Sequence, residues 1–280
     1  MFLLSLIVIC FLSAKPIQAQ IPLFYQLIDA YQPSSDVYNP PQFVTPTPIP
    51  ISTPPPPPRS LGKTITIAVL GDSMIDTLLP GLPRLKTALD QYFPGRVFRI
   101  LNYGVGSRDI EYGLYRLTND YDYRGKHIPG LVSQNPDIVV VESFAYNNFG
   151  NTPTNFDRYL NDLGAIITTI TSNLPDTKIV IAATIAPNSA IFSNGIPNVH
   201  FTTPEKIEKT STIKFYLQSA VDFAISRNLP LADAYHLSLF GNQGLKGFIN
   251  PNDHLHLSDT GGQFFCDTLA DTIYKNHLIN

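Results

Sequence analysis

The stretch "TITIAVLGDSMID", residues 64–76, decides how the rest of the chain is read. Thr64 to Leu70 is a β-branched and apolar run with little polar alternation, the pattern of a strand buried on both faces. It ends at Gly71-Asp72-Ser73, and Met74 and Ile75 follow as the start of a helical turn. A serine at a strand-to-helix junction has two readings. It caps the helix, or it presents its Oγ and N–H to a cleft as a nucleophile. The stretch is not the G-x-S-x-G elbow, because Met74 and Ile75 occupy the positions after the serine.

Four further runs read as strands: Val97–Asn102, Asp137–Val141, Lys178–Thr184 and Leu229–Asp233. Helical patterns lie between and after them at Pro83–Phe93, Ile110–Tyr121, Phe156–Leu174, Glu205–Arg227 and Ser258–Lys275. In the last, Phe265, Leu269 and Ile273 recur every four residues and form one apolar face. Strands alternating with helices predict an α/β domain, a five-stranded parallel sheet covered on both faces in three α/β/α layers. Ligand sites in such sheets form past the carboxyl ends of the strands, so the residues after each run are the ones to inspect.

After the second strand comes "NYGVGSRD", residues 102–109. A dinucleotide fingerprint needs glycine at 109, where aspartate stands, so no nucleotide cofactor is expected. Gly104 either permits a turn or brings a bare backbone N–H towards a ligand. After the third strand, "VESFAYNNFG" (141–150) offers Asn147 and Asn148, uncharged donors suited to an oxyanion or else turn residues. Glu142 is an acid or a polar strand end. Late in the chain, "NPNDHLHLSDTGG" (250–262) feeds the last helix, with Ser258 as its N-cap. On a helical turn Asp253 and His256, at i and i+3, face the same way. The carboxylate then orients the imidazole and leaves its other nitrogen free as a base, while His254 points elsewhere. A metal held by Asp253, His254 and His256 is disfavoured, because neighbouring side chains diverge and no other cluster completes the set.

The order of these elements resembles the SGNH (GDSL) hydrolase family. Gly-Asp-Ser follows strand one, a glycine follows strand two, an asparagine follows strand three, and D-x-x-H precedes the last helix, over residues 64–276. The resemblance implies a flavodoxin-like SGNH hydrolase fold and a serine esterase with no cofactor and no metal. It makes Ser73 the nucleophile, His256 the general base and Asp253 its orienting acid. The N–H groups of Ser73 and Gly104 and the side chain of Asn147 form the oxyanion hole, with Asn148 as the backup donor. The third block departs from the family pattern G-x-N-D, reading Ala145-Tyr146-Asn147-Asn148. Two other functions stay open: O-acyl transfer onto extracellular or cell-wall polysaccharide with the same residues, and a catalytically weak surface-binding module. The substrate expected is an ester, with an acylated glycan among the options. The polar segment 188–203 is expected at the cleft mouth, with His200 at the surface.

Composition sets the surroundings of this domain. The 280 residues carry 19 basic and 22 acidic side chains, net −3, without the basic cluster that nucleic acid requires. Residues 2–14 are uncharged and almost wholly apolar, too short to span a bilayer at roughly 20 residues per crossing. Residues 1–19 therefore read as a signal peptide, with Ile17-Gln18-Ala19 before the cut, or as a retained N-terminal anchor, the only membrane contact expected. Residues 32–58 hold 11 of the 25 prolines, so 20–61 reads as a Pro-rich disordered linker and 62–280 as the functional domain. An extracellular or cell-surface monomer follows as the expectation. Cys10 falls in the apolar leader, which leaves Cys266 as a packed thiol without a disulfide partner.

Overall fold

The structure is a computed structural model that describes residues 64–279; the leader and the Pro-rich stretch lie outside the described residues. The central sheet comprises β1 (Ile65–Gly71), β2 (Phe98–Gly104), β5 (Ile138–Glu142), β6 (Lys178–Ala183) and β7 (Leu231–Asp233). All pairings are parallel and the order is β2-β1-β5-β6-β7. The helices are α1 (Ser73–Asp76), α2 (Pro83–Tyr92), α3 (Ile110–Thr118), α4 (Pro153–Asn173), α5 (Thr203–Ser226), α6 (Ala234–Leu237) and α7 (Asp259–Lys275).

The layers follow from side-chain alternation along the strands. Ile67 and Val69 of β1 pack with α2 and α7 on one face, while Ala68 and Leu70 pack with α3, α4 and α5 on the other. Every residue of β5 is buried, which explains why the strands read as continuous apolar runs. Phe265, Leu269 and Ile273 of α7 are all fully buried, so the four-residue spacing is its core face. Burying a side chain of this kind stabilises by about 1.5–3 kcal/mol. Cys266 lies beside them as a free thiol, and burial pushes its pKa up to about 12, as suits packing. No helix among the described residues is long and apolar enough to cross a membrane.

Two small hairpins depart from the expected pattern. The helix expected over Ile110–Tyr121 stops at Thr118, and Tyr121 belongs to β3 (Tyr121–Tyr123), paired antiparallel with β4 (Lys126–Ile128). Arg124 and Gly125 form the two-residue turn with φ of 50° and 72°, the all-positive geometry that matches hairpin twist. A second hairpin joins β8 (Leu239–Phe240) and β9 (Gln243–Gly244).

Because β1 lies between β2 and β5, the chain reverses direction across the sheet at β1 and β5. A crevice outside the carboxyl ends of the strands forms at such a switch point. Gly71-Asp72-Ser73 leaves β1 there, and the turn Ala145–Asn147 follows β5 beside it.

Candidate active site

The turn that carries the candidate nucleophile, Ser73, is built by Asp72. It caps α1, its Oδ1 accepting the Met74 N–H at 2.8 Å. Capping therefore falls to Asp72, and Ser73 becomes the first helical residue. Half-buried, Ser73 has neither its N–H nor its Oγ hydrogen-bonded among the described residues. A first-turn N–H has no intrahelical acceptor, so this donor is open to a ligand.

The other oxygen of Asp72 reaches across the switch point. Asn147 Nδ2 donates to Asp72 Oδ2 at 2.9 Å. An amide nitrogen carries two N–H groups, so one fixes the side chain and the second remains for a ligand. Asn148 is occupied differently. Its Nδ2 donates to Ala145 O at 2.8 Å and its Oδ1 accepts the Gly150 N–H at 3.0 Å. The two asparagines thus differ in place: Asn147 bonds the residue before Ser73, and Asn148 closes its own loop.

Beneath them lies Glu142, the last residue of β5, fully buried like Asp72. It accepts from Ser143 Oγ at 2.6 Å and from the Phe144 N–H at 3.0 Å. Burial, and then repulsion from Asp72, hold the Glu142 carboxyl well above the usual range. Burial also raises Asp72, but Met74, Asn147, His256 and Arg116 all oppose it. Two buried carboxylates side by side cannot both carry charge cheaply, and the stronger upward push falls on Glu142.

The candidate base, His256, lies in the loop before α7. Asp253 Oδ1 accepts the N–H groups of Leu255 (2.8 Å) and His256 (3.0 Å), and its Oδ2 lies 2.9 Å from His256 Nδ1. Partial burial works to raise the Asp253 pKa, yet the bonds from His256 and the two backbone N–H groups outweigh it and hold it below the ordinary value. An ionised acceptor on Nδ1 keeps the proton there and the lone pair on Nε2. The charge on His256 is also felt by Asp72, whose carboxyl it helps to keep ionised. Ser73 Oγ and His256 are not hydrogen-bonded to each other among the described residues, a contact that characteristically tightens with substrate. His254 diverges as expected. Its backbone is left-handed (φ 54°), its carbonyl accepts from Ser193 N, and its Nδ1 is buried without a partner.

Gly104 departs from the expectation of a bare N–H. Its N–H donates to Asn102 Oδ1 at 2.7 Å. What its missing side chain permits is close packing: a Cβ there would lie 2.2 Å from Asp76 N, inside the backbone of α1. Nearby, Tyr123 Oη accepts the Gly106 N–H (3.1 Å) and donates to Asp76 Oδ2 (2.9 Å), so the β3–β4 hairpin clamps the loop after β2 to α1.

A second pair escaped the sequence reading. Asp233 and His236, again at i and i+3, bring Oδ2 and Nδ1 to 2.7 Å at the end of β7. The spacing is identical, so what separates the two pairs is their place in the fold, one at the end of β7 and one in the loop before α7. Among the described residues no group of three or more His, Cys, Asp or Glu side chains is arranged to hold a metal ion.

A cleft of about 550 Å³, within the size range of small-molecule pockets, is lined by sequence neighbours of these groups rather than by Ser73, Asn147, Asp253 or His256 themselves. Tyr146 and Asn148, flanking Asn147, line it, as does Leu255, next to His256. Phe192 and Phe201 from the 188–203 segment close it, and Glu208 and Lys209 of α5 stand at its edge. His200 is exposed and is not part of this lining.

No family model and no curated protein matches the sequence. Solved structures do match in fold. A lipase/acylhydrolase from Enterococcus faecalis aligns with a TM-score of 0.54 at 19% identity, over 76% of this chain and 96% of that one. An acetylxylan esterase from Geobacillus stearothermophilus aligns at 0.50 and 13% identity, over 76% and 94%. A candidate lipolytic protein of the G-D-S-L family from Desulfitobacterium hafniense aligns at 0.50 and 14% identity, over 74% and 98%. The three-layer α/β/α architecture with its five-stranded parallel sheet is the fold this chain shares with them.

Proposed function

From the fold shared with these acylhydrolases and esterases as premise, we propose that the chain is a serine esterase acting through Ser73, His256 and Asp253. The observation that carries the reading is the Asp253–His256 pair at 2.9 Å, in a fold where Ser73 follows the first strand with an unpartnered N–H and Oγ. Ser73 Oγ attacks the ester carbonyl as His256 Nε2 takes its proton. The oxyanion accepts from Ser73 N–H and from the second N–H of Asn147 Nδ2. His256 returns the proton to the leaving alcohol, and water, activated by the same imidazole, releases the acid from the acyl-enzyme. Gly104 serves this site by packing, since its N–H is already bonded to Asn102.

The decisive experiment is Ser73→Ala with a short-chain aryl ester and a serine-directed fluorophosphonate. The expected result is loss of turnover and loss of labelling. Turnover at the wild-type rate in the variant, or no labelling of the wild type, would overturn the reading; the latter would point to a surface-binding module.

The same residues would transfer the acyl group if a sugar hydroxyl reached the acyl-enzyme before water. The cleft lined by Phe192, Phe201 and Leu255 is the space in which an acceptor alcohol would have to bind for this second reading. An acylated glycan assayed with and without a sugar acceptor separates the two by product. Export and tethering rest on the composition of residues 1–58 alone. Cell fractionation of the full chain tests them.

A further inference from the structure

Arg116 of α3 is fully buried, and its three guanidinium nitrogens each donate to a backbone carbonyl. Its Nε donates to Tyr112 O of its own helix at 3.1 Å, its Nη2 to Gly71 O at 3.0 Å and its Nη1 to Tyr103 O. The rings of Tyr112 and Tyr121 flank the guanidinium at 5.2 and 5.6 Å. Burying a cation is costly, and an apolar side chain would fill the same space without that cost. What an apolar residue cannot do is span two carbonyls with one rigid fork.

Those two carbonyls sit where the site begins. β1 and β2 end in the register pair Gly71 and Gly104. Gly71 O belongs to the peptide joining it to Asp72, one residue before Ser73. The oxygen of that peptide is held by Arg116 and by the Val105 N–H (3.2 Å), and its N–H faces Glu142 Oε2 at 3.5 Å. Fixing this plane fixes Asp72, whose side chain in turn holds the Met74 N–H and Asn147 Nδ2.

We infer that Arg116 is a positioning residue: its fork locks the carboxyl ends of β1 and β2 so that Ser73 N–H and the Asn147 amide converge on one point. The inference rests on the esterase reading above. It acts on the geometry of transition-state stabilisation, where a misplacement of about 1 Å costs about 10²-fold in rate. It therefore affects kcat and leaves the ground-state cleft, and KM, nearly unchanged.

The test compares wild type, Arg116→Lys, Arg116→Met and Arg116→Ala on p-nitrophenyl acetate, with kcat expressed per fluorophosphonate-titrated site. Arg116→Met is expected to lose about 10²-fold in kcat with KM within about threefold. Arg116→Lys, which reaches one carbonyl at a time, is expected between the two. Millimolar guanidinium is expected to restore Arg116→Ala saturably, while ammonium is not. Wild-type kcat per titrated site in the variants, with the only change a lower melting temperature, would reduce Arg116 to a structural role and overturn the inference. If Met and Ala fail to fold, Arg116→Lys decides alone, since unimpaired kcat there has the same consequence. An inert wild type would instead overturn the esterase reading, and this inference with it.

Discussion

Asn147 Nδ2 donates to Asp72 Oδ2 at 2.9 Å, tying the turn after β5 to the residue that precedes Ser73. Asn148, its neighbour, bonds only within its own loop. Asn147→Ala should therefore lower kcat about 10²–10³-fold, the usual cost of losing an oxyanion donor. Asn148→Ala should retain turnover within several-fold and lose about 1 kcal/mol of stability from its hydrogen bonds. Steady-state kinetics with urea unfolding of both variants checks this. Equal kinetic losses would mean that the register is wrong.

The histidines should separate by position. His256→Ala should remove activity, while His254→Ala and His236→Ala should largely spare it. His236 shares the Asp–His geometry, but β7 is three strands from β1, roughly 14 Å at about 4.8 Å per strand. An imidazole there cannot reach Ser73 Oγ. Activity lost in His236→Ala and kept in His256→Ala would transfer the role of base to the β7 pair.

The buried acid pair makes a pH prediction. Glu142 is raised well above its ordinary value, so the folded chain holds a proton that the unfolded chain releases. Stability is full below the unfolded pKa, about 4.3, and falls as pH rises towards the folded pKa, by at most about 1.4 kcal/mol per pH unit. Glu142→Gln mimics the protonated acid and removes that slope. Urea unfolding between pH 5 and pH 8 should show the variant gaining on wild type as pH rises. Parallel curves would place the proton elsewhere.

Gly104→Ala tests packing against donation. The added Cβ meets the Asp76 backbone at 2.2 Å, while the N–H and its bond to Asn102 are formally kept. Overpacking typically costs about 1–3 kcal/mol, so the variant should melt earlier than wild type. An unchanged melting temperature would show that α1 can yield and that the close approach is not required.

The strands were legible because burial on both faces leaves nearly uninterrupted apolar runs, as in Ile138–Val141. Asp253 and His256 were legible because i, i+3 geometry is local. The β3–β4 hairpin was not, because Tyr121 continues the apolar pattern of α3 and Arg124-Gly125 lacks the usual Asn-Gly signal. The Gly104 N–H was misjudged because its acceptor is a side chain two residues away, which backbone freedom alone does not reveal.

By itself the sequence determined the layer architecture, the four blocks in order and the Asp253–His256 pair, because each depends on short-range periodicity or spacing. Tertiary structure alone decided that Asn147 rather than Asn148 bonds Asp72, that a second Asp–His pair forms at the end of β7, and that Arg116 joins β1 to β2. Those choices depend on which strand ends become neighbours. Strand order is fixed by crossovers through the whole domain, and no local pattern encodes it.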